Sequence, residues 1–156
     1  MAEVPCTCGG GKRTVVYGCA GASNTGQLAN AATVRLTQQG KGRIGCLAGI
    51  GSQQKGFITA AGSADEVVAI DGCEVGCVKK TLETAGITPD KHIVVTDLGI
   101  AKSGDLNLRE EEIEQVVDAV ETAGATATDQ KQPPAGDLGE ESTEGGCGCG
   151  GGCNCG

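Results

Sequence analysis

The chain of 156 residues holds 28 Gly and 10 Cys, with one Tyr, one Phe and no Trp, and carries a net charge of −8. Two aromatic side chains cannot make a stacking platform for bases, and an acidic chain has no excess of cations for a phosphate backbone. Nucleic acid is excluded as a partner on both counts. No apolar run approaches the ~20 residues of a membrane span, so no membrane partner is expected. The opening Met-Ala-Glu-Val-Pro-Cys-Thr-Cys lacks the apolar stretch of a secretory signal. A cytoplasmic address is therefore expected, where thiols act as metal ligands or reactive groups more than as structural disulfides.

Composition divides the chain into three. Residues 1–12 are a short arm with Cys6 and Cys8, and residues 13–124 carry the hydrophobic periodicity. Residues 125–156 are an acidic linker running into a Cys/Gly-rich tail, too poor in apolar residues to offset chain ordering, and are expected to be disordered.

Within 13–124, Thr14-Val15-Val16-Tyr17 reads as a strand, followed by the small-residue turn Gly18-Cys19-Ala20-Gly21-Ala22. Asn24 and Gln27 have capping-box spacing, and the helix they open places Leu28, Ala31, Ala32 and Leu36 on one face before Gly40. Residues 43–47 form a weaker strand and residues 57–61 a short helix. Glu66-Val-Val-Ala-Ile70 reads as a buried strand. After Asp71-Gly72, a helix is expected to begin at Cys73 and run to Gly86. His92-Ile-Val-Val-Thr96 is the fourth strand. Asn107 and Glu110 suggest a second capping box, opening a helix with Ile113, Val116, Val117 and Val120 on its core face. Alternating strands and helices of this length predict an α/β fold: a single Rossmann-like, three-layer domain with a mostly parallel sheet.

In that topology Cys19, Cys46 and Cys73 each fall at or just past a strand's carboxyl end, and Cys77 lies one helical turn beyond Cys73. Carboxyl ends of parallel strands share one rim, where ligands bind. Four thiolates meeting there suit a tetrahedral Zn²⁺ site, with Zn–S near ~2.3 Å. A single cysteine of this kind would be read as a small buried hydrophobe; four at successive strand ends favour a ligand set. Cys73 at a helix N-terminus would be the best ligand or nucleophile of the four. Asp71 and Asp97 sit on the same rim as hydrogen-bond acceptors, an open coordination position or turn residues, the turn being favoured for Asp97.

Six cysteines remain. Cys6/Cys8, Cys147/Cys149 and Cys153/Cys155 are C-x-C pairs, a spacing that can wrap a soft d¹⁰ ion such as Zn²⁺ or Cu⁺ without a preformed fold. Cluster spacing of the ferredoxin type is missing. His92, the one histidine, is expected at a solvated strand end on the edge opposite the thiols. Residues 18–26 form a Gly-rich turn without a P-loop lysine or G-x-G-x-x-G, so a nucleotide site is not favoured. Glu110, Glu111 and Glu112 complement the dipole of the last helix.

Four motifs together carry a family resemblance: Tyr17-Gly-Cys19-Ala-Gly-Ala-Ser-Asn-Thr-Gly-Gln27, Cys46-Leu-Ala-Gly-Ile-Gly51, Ala69-Ile-Asp-Gly-Cys73 with Cys77, and Val95-Thr-Asp-Leu-Gly99. Spanning about residues 14–122, they resemble the DGC-domain family, named for the Asp-Gly-Cys triplet, here Asp71-Gly72-Cys73. The resemblance implies a zinc site on Cys19, Cys46, Cys73 and Cys77. It departs at Glu74, where many relatives carry Pro, and it does not extend to the terminal C-x-C pairs.

These readings lead to a zinc-binding protein whose core thiolates hold one ion, or another soft metal, while Cys147, Cys149, Cys153 and Cys155 capture or transfer metal. Its partners would be the ion and a metal- or sulfur-handling protein. The alternatives are a thiol redox or sulfur-transfer enzyme with Cys73 as the attacking thiolate, and a purely structural ion.

Overall fold

A computed structural model describes residues 12–123. Four strands, β1 (Thr14–Gly18), β2 (Arg43–Ile44), β3 (Glu66–Asp71) and β4 (Lys91–Val94), form one sheet in the order β2-β1-β3-β4. Every pairing is parallel, with Val16 opposite Ile44 and Val68, and Ile70 opposite Ile93. Five α-helices connect and flank the strands: α1 (Asn24–Gln38), α2 (Leu47–Gly51), α3 (Lys55–Gly62), α4 (Cys77–Thr84) and α5 (Glu110–Thr122).

Side-chain alternation sorts the core into two layers. Val16, Val68 and Ile70 face Leu28, Ala32 and Leu36 of α1 and Ile113, Val116, Val117 and Val120 of α5. Tyr17, Val67 and Ala69 face the opposite way, toward Ile50, Ala61, Val78 and Leu82 of α2, α3 and α4. β3 is buried along its whole length, as a central parallel strand covered on both faces must be. The sheet is wholly parallel and covered by helices on both faces, so the expected α/β three-layer architecture is the one found.

Several boundaries differ from the sequence reading, each for a local reason. The cap of α1 is Ser23, whose side chain accepts from the Gly26 amide. Asn24 instead ties α1 to a distant loop: its side chain donates to the Ala101 carbonyl (2.9 Å) and accepts from the Ser103 amide (2.6 Å). The fourth strand ends at Val94, and Val95–Leu98 turn into a 3₁₀ segment. α5 begins at Glu110 behind Arg109, with no side-chain cap; Asn107 is engaged by Asp105. The largest shift is at α4, which starts at Cys77 and not at Cys73.

A thiol rim at the topological switch point

The strand order reverses between β1 and β3. The chain leaves β1 through α1 on one face to reach β2, and leaves β3 through α4 on the other face to reach β4. The crevice outside the carboxyl ends of β1 and β3 is therefore the topological switch point, the place where open α/β sheets bind ligands. Cys19 follows β1 and Cys73 follows β3, so the two walls of the crevice each contribute a thiol. β2 is the other neighbour of β1, and Cys46 lies just beyond it. Adjacent strands run about 4.8 Å apart, so three consecutive strand ends carry these cysteines along one short rim. Cys77 opens α4 beside them.

The Asp-Gly-Cys triplet acquires a physical reading at this rim. Asp71 is 1% exposed, and its carboxylate accepts from the amides of Val78 (2.7 Å) and Lys79 (3.2 Å) and from His92 Nε2 (2.9 Å). A carboxylate only accepts, so His92 carries its proton on Nε2. Asp71 thus satisfies free N–H groups in the first turn of α4 and complements its dipole. That is an anchoring role, which leaves the carboxylate fully engaged by protein donors. His92 is consequently not a solvated strand end: its ring is half-buried and reaches the last residue of β3, on the side of the thiols.

Gly72 is buried, and a Cβ placed there would lie 2.7 Å from the backbone nitrogen and Cα of Gly26. Only glycine lets this loop pass against the start of α1. Cys73 then projects from the loop, half-exposed, before Gly76 turns the chain through the left-handed region at φ +68° and α4 begins. The expectation that Cys73 and Cys77 share a helical face fails for this reason. The capping of Val78 and Lys79 by Asp71 requires the helix to start after the turn, so Cys73 sits on the loop and Cys77 on the first helical residue. Cys73 also does not hold the helix N-terminal position assigned to it from the sequence.

Each rim thiol has its own surroundings. Cys46 and Cys77 are exposed, Cys19 and Cys73 are half-exposed, and all four are free. The Cys46 sulfur accepts from the Gly49 amide at 3.4 Å, capping the short α2. Cys19 packs against both core layers. Lys102 Nζ donates to the Cys73 sulfur at 3.4 Å. Neighbouring Tyr17 is 3% exposed; burial pushes its phenol above its ordinary pKa, and negative charge at Cys46 acts in the same direction. Asp97 lies exposed in the 3₁₀ turn, and Glu110, Glu111 and Glu112 occupy the first turn of α5.

All four donors are sulfurs, which suits a soft ion. Among the described residues, however, no three His, Cys, Asp or Glu side chains stand close enough together to hold a metal. The rim gathers Cys19, Cys46 and Cys73 on neighbouring loops and Cys77 at the start of α4 without assembling them into a coordination sphere. Cys6, Cys8, Cys147, Cys149, Cys153 and Cys155 lie outside the described residues. Lys102 and the Asp71–His92 pair were not singled out from the sequence. An aspartate ending one strand and a lone histidine in the next were the available signal for the pair.

A parallel α/β sheet whose switch point is lined by cysteines defines a class of thiol-bearing α/β domains. Residues 15–120 match the DGC domain family, and the chain belongs to it. It is also 34% identical over 88 residues to the anaerobic and virulence modulator AnvM of Pseudomonas aeruginosa, an alignment covering 56% of this chain and 67% of that protein. No solved structure matches the chain. Among the described residues no helix is long and apolar enough to cross a membrane.

Proposed function

We propose that this protein is a cytoplasmic metal-binding protein in which Cys19, Cys46, Cys73 and Cys77 hold one soft ion, Zn²⁺ first among them. The observation that carries the reading is the position of Cys19 and Cys73 on the two walls of the switch point, with Cys46 just before α2 and Cys77 at the first residue of α4. All-sulfur coordination would supply a closed tetrahedral site. The chain's own contribution is to hold the rim. Asp71 anchors α4 and Cys77, Gly72 seats the Cys73 loop on α1, and Cys46 is tied to the start of α2. The tail thiols Cys147, Cys149, Cys153 and Cys155 are a second, separate place for a soft metal.

Elemental analysis of protein purified without added metal tests this. Replacing the four tail cysteines by serine should leave one ion per chain, and adding Cys73→Ser or Cys19→Ser should remove it. A ratio that falls to zero with the tail substitutions alone would refute the core site.

One observation favours a second reading, thiol redox or sulfur transfer at Cys73. Lys102 Nζ rests against its sulfur, where a positive charge assists a sulfur nucleophile. Cys73 would attack a disulfide or persulfide, forming a new S–S bond and expelling the other sulfur as a thiolate, with Cys19 or Cys77 displacing it in turn. The relative's name, an anaerobic and virulence modulator, fits thiols that respond to oxidant. Lys102→Met should then slow alkylation of Cys73 in metal-free protein; an unchanged rate would remove the support for this reading.

A further inference from the structure

A groove of about 800 Å³ opens between the β1–β2 side of the sheet and α3, away from the switch point. Val15, Tyr17, Ile44, Phe57 and Ala60 give it an apolar lining, and Ile44 and Phe57 are more than 40% exposed there. Its charged lining is entirely basic: Lys12, Arg13, Lys41 and Arg43. Lys12, Arg13 and Lys41 are paired with Glu66, Asp65 and Glu121, whereas Arg43 has no ion pair among the described residues. β2 is an edge strand, so its outer side presents unpaired backbone groups ready to take another strand. Of the four rim cysteines only Cys46 lines the groove, at the carboxyl end of β2.

A basic, half-apolar groove along an open strand edge fits an extended acidic segment, and this chain carries one. Residues 137–144 read Asp-Leu-Gly-Glu-Glu-Ser-Thr-Glu, four acids and a leucine with no cation, and Cys147 follows three residues later. The place where α5 ends favours the same occupant. Glu121, one residue from the end of α5, is ion-paired with Lys41 at the amino end of β2. The last turn of α5 is thereby tied to Lys41, one of the residues that line the groove.

The lengths agree. Lys41 to Cys46 is five residues of extended chain, about 17 Å at ~3.3 Å per residue, and an eight-residue segment spans up to about 26 Å. The thirteen residues between Ala123 and Asp137 leave ample chain to reach the start.

We propose that residues 137–144 of this chain dock in the groove beside β2, acids on Arg43 and Leu138 on the apolar floor, and so deliver the tail cysteines to Cys46. Running from Lys41 toward Cys46, the segment would add to β2 in the parallel sense of the sheet. Tethering supplies the affinity that a few exposed charge contacts alone would lack. The docking needs no metal, so it stands or falls separately from the ion-binding reading.

The test uses the full chain, reduced and treated with chelator, then oxidised with diamide, which takes up the two electrons and two protons of each disulfide formed. Peptide mass mapping should find tail cysteines joined to Cys46 in preference to Cys77, which is exposed on the same rim but does not line the groove. Glu140→Lys with Glu141→Lys, or Arg43→Glu alone, should lower the Cys46 yield several-fold, and the three together should restore it. Raising the salt concentration should act like the single-side reversals. Equal yields at Cys46 and Cys77, or yields unmoved by charge reversal, would overturn the proposal. So would a Cys46 yield that rises with protein concentration, which would place the tail of a second copy in the groove.

Discussion

The two edges of the sheet are built from different chemistry. At the amino edge, charges neutralise one another. Glu66 takes Lys12 at 3.0 Å, Lys91 at 3.5 Å and the Thr14 hydroxyl at 3.0 Å, Arg13 pairs with Asp65, and the Asp90 carboxylate accepts the Val67 amide. At the carboxyl edge stand four free thiols whose polar contacts are a backbone amide on Cys46 and an ammonium on Cys73. Thiols are weak hydrogen-bonding groups, so these polar contacts add little to the fold. The amino edge is held together by ion pairs and the carboxyl edge carries thiols with few polar partners, with Asp71 as the exception that holds the second edge in shape.

Substitutions can break or sharpen that contrast. The largest effect belongs to the exception. Asp71→Asn should lower stability by roughly 3 kcal/mol in urea unfolding, because a buried carboxylate loses charge-assisted bonds to two amides and a histidine. Gly72→Ala should follow, at about 1–3 kcal/mol, since the added carbon meets backbone and not a yielding side chain. It should also change the alkylation rate of Cys73, read on the same protein.

The amino edge comes next. Burial alone would raise the Glu66 carboxyl, but the hydrogen bonds from Lys12 and Thr14 and the charge of Lys91 outweigh it and hold its pKa below the ordinary value. The unfolded state therefore binds the proton more readily. The contribution of Glu66 is present above the unfolded pKa of about 4.3 and is lost as pH falls through the lower folded value. Glu66→Gln should flatten the acid limb of the stability profile, with a cost of about 1–2 kcal/mol near neutrality. The smallest effect should be Cys46→Ser: serine is a preferred helix cap, so the unfolding midpoint should stay within about 0.5 kcal/mol of the parent. A large loss there would end the division of labour between the edges.

Much of this architecture was legible in the sequence because its signals are local and periodic. The β-branched runs at β1 and β3, and the 3.6-residue spacing of Ile113, Val116, Val117 and Val120, state their burial directly. The carboxyl-edge placement of Cys19, Cys46 and Cys73 followed from topology alone. What escaped depends on partners distant in sequence. Whether α4 starts at Cys73 or Cys77 is decided by where the Asp71 carboxylate finds its amides and by the turn at Gly76. His92 lies 21 residues from Asp71 and Lys102 lies 29 residues from Cys73, and no local pattern announces either contact. Ser23 and Asn24 are equally good caps on paper; a tertiary bond to the 101–103 segment draws Asn24 away and leaves the cap to Ser23.

The glycine contact at the rim has a mechanical consequence. Gly72 presses on Gly26 in the first turn of α1, and Gly26 in turn lies tight against Gly21 in the loop that carries Cys19. Asn24, in the same turn, grips Ala101 and Ser103, and Lys102 between them reaches back to the Cys73 sulfur. The contacts close into a ring, from Cys73 through Gly72, α1 and Lys102 to Cys73 again. The two walls of the crevice, the Cys73 loop and the Cys19 loop, are thereby joined through the first turn of α1 by close backbone packing and side-chain hydrogen bonds.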